Sequence, residues 1–201
     1  MTGMPTSTTI SEGDFTWTFN RTDFTVVVKY DELAFYRNKF QSVAGSKAVD
    51  IVALNANDQT LWLIEVKDYT RRQRDSNKLP LWDEVAQKAR DTLAGILAAS
   101  CTEHVDQHTA LALRGAKKLR LVLHLEQGAT HSRLFPPAFD PADVQQKLRL
   151  AARAIDPRLR VVDSRTTGMP WTSTRSLRRS PPPSAKPTAA RGSSRRRNSR
   201  R

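Results

Sequence analysis

The stretch that decides the fold runs from Gly45 to Tyr69 and reads GSKAVDIVALNANDQTLWLIEVKDY. It holds two apolar segments, Val49 to Asn55 and Leu61 to Asp68, joined by Ala56-Asn57-Asp58-Gln59. Apolar, β-favouring residues on either side of a polar connector predict two adjacent strands. In Leu61-Trp62-Leu63-Ile64-Glu65-Val66-Lys67 both faces are apolar up to Glu65, the pattern of an interior strand covered on both sides. Side chains alternate along a strand, so Glu65 and Lys67 share one face. A turn centred between Asn57 and Asp58 pairs residues whose numbers sum to 115, which sets Asp50 opposite Glu65. Cross-strand Cβ atoms lie roughly 5 Å apart, where like charges destabilise a sheet. A positive group is therefore expected between the carboxylates: Lys67, or a hard cation such as Mg²⁺ that prefers oxygen ligands.

Toward the N-terminus, Phe15, Trp17 and Phe19 alternate, and so do Phe24, Val26, Val28 and Tyr30 beyond Asn20-Arg21-Thr22-Asp23. This predicts a hairpin. Leu33, Tyr36 and Phe40 fall at helical spacing and predict a short helix from Asp31 to Gln41. Toward the C-terminus, Lys67 to Lys78 is a basic connector, and Asp83 to Ser100 carries Val85, Ala89, Leu93 and Ile96 on one helical stripe. Leucines at 119, 121, 123 and 125 have strand periodicity. Asp140-Pro141 supplies a cap and a first-turn proline for a helix bearing Val144, Leu148, Ala151 and Ile155, and Leu159 to Val162 reads as a closing strand. The order predicts one α/β domain on a mixed sheet.

Asp50, Glu65 and Lys67 in this setting resemble the core of the PD-(D/E)xK nuclease superfamily, and VAGSKAVDIVAL followed by LIEVK is especially similar to its archaeal Holliday junction resolvase type. The likeness covers roughly Asp31 to Glu126, with Val49 where the name-giving proline would stand. It implies a restriction-endonuclease-like αβββαβ core, a mixed sheet flanked by helices. It also implies a metal-dependent nuclease, endonuclease or exonuclease, hydrolysing phosphodiester bonds. On that reading Asp50, Glu65 and the carbonyl of Val66 hold Mg²⁺ or Mn²⁺, Lys67 positions the attacking water, and Glu32 matches a further acidic position. Gln87 and Lys88 resemble positions that sometimes face such a site, although a solvated helix face is the expectation for them.

Charge is unevenly spread over the 201 residues. Of 33 Lys and Arg, 11 lie from Arg165 onward with no Asp or Glu among them, so nearly all of the net +13 sits there. The sequence thus divides into a domain over 1–164 and a basic tail over 165–201, rich in Arg, Ser and Pro and expected to be disordered when free. A flexible polycation binds polyanions by counterion release. Arg71, Arg72 and Arg74, close to the carboxylates, and Arg195, Arg196 and Arg197 in the tail are the candidate nucleic-acid contacts, with DNA expected before RNA. A homodimer is allowed. No apolar run approaches a membrane span, no secretory signal is readable, and a lone Cys101 fits a reducing compartment. The expected place is the cytoplasm, with nucleoid association allowed. Cys101, His104 and His108 have ligand-like spacing but no fourth partner, and His124 within its leucine strand reads as a packed residue. The alternatives are a non-catalytic nucleic-acid-binding protein that keeps the nuclease fold, and an interaction module of a larger complex.

Overall fold

The computed structural model describes residues 6–43, 45–70, 74, 79–128 and 138–176. Strand β1 (Ser7–Glu12) turns through Gly13, at φ +57°, into β2 (Phe15–Asn20). Glycine suits this turn because a positive φ costs it no side-chain clash. In β2 the alternation works as expected: Phe15, Trp17 and Phe19 are buried, and the residues between them are not.

The predicted hairpin from β2 into β3 (Phe24–Lys29) does not form. β2 pairs antiparallel with β1 on one side and with a C-terminal strand on the other, whereas β3 joins a different sheet. Alternation specifies which side of a strand is buried, not which strand lies beside it. The larger sheet contains β3, β4 (Ile51–Asn55), β5 (Thr60–Tyr69), β6 (Lys118–Gln127) and β7 (Arg160–Val162), in that spatial order. β3, β4 and β5 are antiparallel neighbours, and β5, β6 and β7 run parallel. The parallel connections require crossovers. Helices α1 (Leu81–Ser100) and α2 (Gln107–Arg114) lie between β5 and β6, and α3 (Pro141–Ala151) lies between β6 and β7. Asp140 caps α3 as its sequence predicts, accepting from the Ala142 N–H at 2.9 Å. The expected helix over 31–41 is instead a 3₁₀ turn at Tyr30–Glu32 followed by a π-helical turn at Tyr36–Phe40.

The last strand is β8 (Trp171–Arg175), which pairs with β2 from Phe15 to Phe19. Trp171 is 7% exposed and meets Trp62 edge-on at 5.0 Å. The expectation of a free tail from residue 165 is thereby corrected for 165–176. Its composition drew attention to the arginines, but Trp-Thr-Ser-Thr-Arg is a strand with one aromatic anchor, and burial of that ring offsets the ordering entropy. Residues 177–201, with Arg195, Arg196 and Arg197, lie outside the described residues.

The result is a mixed α/β fold with two sheets in three layers. Phe15, Trp17, Phe19 and Trp171 of the small sheet pack on Ile51, Ala53, Ile64 and Val122 of the large one. On the opposite face, Val52, Leu61, Leu63, Leu121 and Leu123 pack with Val85 and Ala89 of α1 and Leu148 of α3. Both faces of β5 are covered, as its sequence predicts, and Glu65 and Lys67 continue the row of Leu61 and Leu63 that faces the helices. Among the described residues, no helix is long and apolar enough to cross a membrane.

Candidate functional site

The register expected from the turn is the one observed: Ile51 pairs with Ile64 and Leu54 with Leu61. Just before β4 begins, Asp50 uses Oδ2 to accept from the backbone N–H of Val66 at 2.7 Å. Glu65 is fully buried. Its Oε1 lies 2.8 Å from Lys67 Nζ and 2.7 Å from Lys88 Nζ. Lys88 Nζ is also 3.5 Å from Asp50 Oδ1. Lys67 donates to Glu84 Oε1 at 3.0 Å, and Arg74 Nη2 lies 2.5 Å from Glu84 Oε2. The charges alternate along one connected path: Asp50, Lys88, Glu65, Lys67, Glu84, Arg74. The lysines meet Glu65 Oε1 as ion pairs rather than well-directed hydrogen bonds, and Oε2 has no hydrogen-bond partner among the described residues.

Glu65 and Glu84 share Lys67 yet are pushed in opposite directions. Burial, reinforced by the charge of Asp50, raises the Glu65 carboxyl to about 7 against the pull of both lysines. Burial opposes the Glu84 charge as well, but Arg74 and Lys67 outweigh it and hold that carboxyl at about 2. Burial also works against the two ammonium charges, and the surrounding carboxylates reverse it: Lys67 and Lys88 both lie above the ordinary lysine range. The site is thus a desolvated acid held between two firmly charged lysines.

Asp50, Glu65 and Lys67 lie in one network, but the cation spanning the two carboxylates is Lys88 rather than the expected Lys67, and other expectations change as well. Glu32 is not part of the site. It is half-exposed and pairs with Lys29 at 2.7 Å, while its neighbour Asp31 turns toward Asp50 and feels its charge. Consecutive side chains diverge on a 3₁₀ turn, so a one-residue shift in position selects a different acid. Lys88, expected on a solvated face, is largely enclosed within the network, whereas Gln87 donates to the Gly45 carbonyl at 2.8 Å. Glu84 went unrecognised in the sequence. Its signal was the i, i+4 pair Glu84 and Lys88 flanking the apolar stripe at Val85 and Ala89, which the fold lays over the end of β5. Arg74 faces inward, bonding Tyr69 Oη at 3.0 Å and the Leu79 carbonyl as well as Glu84. Arg71 and Arg72 lie outside the described residues.

His124 packs against the rings of Phe15 and Trp17, each at 5.3 Å, with Nε2 3.1 Å from Glu126 Oε1. The His104 ring lies edge-on to Phe35, and its Nδ1 accepts from the Asp106 N–H at 3.3 Å. Among the described residues, no three His, Cys, Asp or Glu side chains are grouped to hold a metal ion.

No family model matches the chain, and no solved structure matches it. A curated relative does: a cysteine–tRNA ligase of Neisseria meningitidis serogroup A / serotype 4A, 33% identical over 178 residues. The match takes in 72% of this chain, and the chain spans about a quarter of the relative, 25% of its length. That relative is an enzyme, a ligase by name, which overturns the expectation of a nuclease or other hydrolase drawn from Asp50, Glu65 and Lys67. Its name refers to tRNA, so the expected preference for DNA finds no support in it. In physical terms, an acid, a lysine and a second acid around a strand end form a charged constellation that does not by itself specify a reaction.

Proposed function

We propose that this chain is an RNA-binding module directed at tRNA, whose buried carboxylate and lysine network receives a phosphate of the RNA backbone. The observation that carries the reading is the likeness of 72% of the chain to part of a tRNA ligase. The charge distribution supports it. From residue 177 onward there are nine Lys and Arg and no Asp or Glu. Arg195, Arg196 and Arg197 supply long-range attraction of the counterion-releasing kind, while Lys67 and Lys88 exchange a carboxylate partner for a phosphate oxygen. The order of the 3₁₀ and π turns, the trio β3–β4–β5, helix α1 and β6 supports a restriction-endonuclease-like frame serving as the scaffold for binding.

The donor set also supports a divalent cation. Glu65 Oε2 is buried without a hydrogen-bond partner among the described residues, and Asp50 faces Glu65 across the strand pair. Asp50, Glu65 and the carbonyl of Val66 would hold Mg²⁺ or Mn²⁺, an ion that can link a phosphate oxygen to carboxylates. Lys88 already spans the two carboxylates, so ammonium and metal compete for them.

Fluorescence anisotropy of labelled tRNA with the full chain tests the reading, with EDTA or Mg²⁺ present. Saturable binding is expected, with tRNA recovered at full length. Replacing Arg195, Arg196 and Arg197 by alanine should flatten the plot of log affinity against log salt by about 2 to 3, since each phosphate contact contributes about 0.7 to 0.9. Absence of binding, or shortened tRNA in the mixtures, would overturn the proposal.

A further inference from the structure

Beside the network lies a cavity of about 530 Å³ lined by Asp31, Tyr36, Arg37, Lys47, Asp50 and Lys88 among others. The volume suits a small ligand or one unit of a polymer. Its lining combines two kinds of demand. Arg37 uses Nε to donate to the Asp31 carbonyl at 3.1 Å, and neither Arg37 nor Lys47 has an ion-pair partner among the described residues. With Lys88, they give the cavity three cations. Asp31, in contrast, turns into the cavity wall a buried Oδ1 that has no hydrogen-bond partner among the described residues. A buried acceptor left unpaired is costly, and a bound donor removes the cost. Asp50 and Glu12 add negative charge around Asp31, with Lys29 opposing them, so a cationic or donor group is wanted there and an anion is not.

A fitting ligand therefore carries an anion and, adjacent to it, a hydroxyl or amino donor. A ribonucleotide unit has both, in its phosphate and its 2′-hydroxyl, and the 2′-hydroxyl is the group that distinguishes RNA from DNA. We propose that this cavity seats one ribonucleotide of the bound RNA, with Asp31 Oδ1 accepting from the ribose 2′-hydroxyl and Arg37 and Lys47 holding the adjoining phosphate. The inference rests on the RNA-binding reading and adds to it the origin of a preference for RNA over DNA. Asp31 and Arg37 are contact residues for the ligand and stand apart from the Glu65–Lys67–Glu84 part of the network.

The test uses the full chain and three single-stranded oligonucleotides of one sequence: all-ribo, all-2′-deoxy and all-2′-O-methyl. The 2′-O-methyl probe keeps the ribo substituent but has no donor proton. The parent should bind the ribo probe about tenfold more tightly than either of the others, the scale of one charge-assisted hydrogen bond. Asp31→Ala should abolish that ratio with little change for the deoxy probe, and Asp31→Asn, which keeps the shape and the acceptor but not the charge, should reduce it to about two- or threefold. Combined Arg37→Ala and Lys47→Ala should weaken all three probes alike. Melting curves establish that each variant is folded, and Asp31→Asn keeps the ratio measurable where Asp31→Ala does not fold. A ratio unchanged by both Asp31 variants, or equal binding of the three probes by the parent, would overturn the inference while leaving RNA binding intact. A parent that binds neither these probes nor tRNA would overturn both. If the donor at Asp31 is a base amino group, the deoxy probe will bind as tightly as the ribo probe, which also counts against the inference.

Discussion

The two sheets are built from similar alternating strands but treat their polar residues in opposite ways. On the three-stranded sheet, Thr9, Thr18 and Thr172 fall in one row across the strands, and Ser11, Thr16 and Thr174 fall in the next. These hydroxyls lie on the face away from the aromatic core, where solvent and one another, as for Ser11 Oγ and Thr16 Oγ1 at 3.3 Å, meet their hydrogen-bonding needs at little cost. On the five-stranded sheet both faces are covered, so a polar side chain in the interior of β5, before its C-terminal end, has no such outlet. Glu65 is enclosed, and among the described residues its charge is answered by Lys67 and Lys88. Groups with shifted proton affinity therefore depend on which sheet carries them. Glu65, Lys67 and Glu84 gather around the end of the covered strand, where desolvation and compensating charges compete.

The largest effect should come from removing what joins the sheets. Trp171→Ala deletes a ring that packs on Trp62 at 5.0 Å and on Phe19 at 5.5 Å, and should cost about 3–5 kcal/mol in urea unfolding. A loss below about 1 kcal/mol would mean that β8 contributes little and that the basic segment begins nearer residue 165.

An intermediate effect is expected from pH. The Glu65 carboxyl is raised to about 7 in the fold from 4.5, so the folded state holds a proton that the unfolded chain releases. Its contribution is fully present below about pH 4.5 and declines as pH rises toward 7, by on the order of 1–3 kcal/mol. Glu84, lowered to about 2, works the other way: its contribution is present above about pH 4.5 and is lost as pH falls toward 2. Stability from this pair of acids should therefore peak between pH 4 and 5 in EDTA, a roughly placed optimum set by the two shifts. Carbon-13 NMR titration of the two carboxyl groups checks the cause directly, and a Glu65 midpoint near 4.5 would show that the site is not desolvated.

The smallest effect belongs to the hydroxyl face. Thr18→Val keeps the β-branched shape and should change stability by no more than about 0.5 kcal/mol. A markedly larger change would show that this face meets something other than water, and would erase the contrast with β5.

Much of the large sheet was legible because its signals are local. The turn at Asn57 and Asp58 set the register, the apolar pattern of 61–64 announced burial on both sides, and Asp140-Pro141 marked the start of α3. Of the residues singled out there, Glu65 meets Lys67 directly and is linked to Asp50 through Lys88. The small sheet was not legible, because β1, β2 and β8 come from opposite ends of the chain and no local pattern states that Phe15 will pair with Arg175. Glu84 and Asp31 were hidden, and Lys88 read as solvent-facing, for a related reason: each lies on a helix or turn whose rotation about its own axis is set by packing.

The strand and helix segments of the large sheet, the opposition of Asp50 and Glu65, and the concentration of positive charge toward residue 201 are all legible in the unfolded chain. These depend on periodicity, turn chemistry and composition, all of which act between near neighbours. Folding alone brings β8 into a second sheet, sets Lys88 between the two carboxylates where Lys67 or a hard cation was expected, and makes Asp31 rather than Glu32 line the cavity. Those outcomes depend on which surfaces are buried against each other. Burial is a property of the assembled layers, and it converts an ordinary glutamate, Glu65, into an acid raised to about 7.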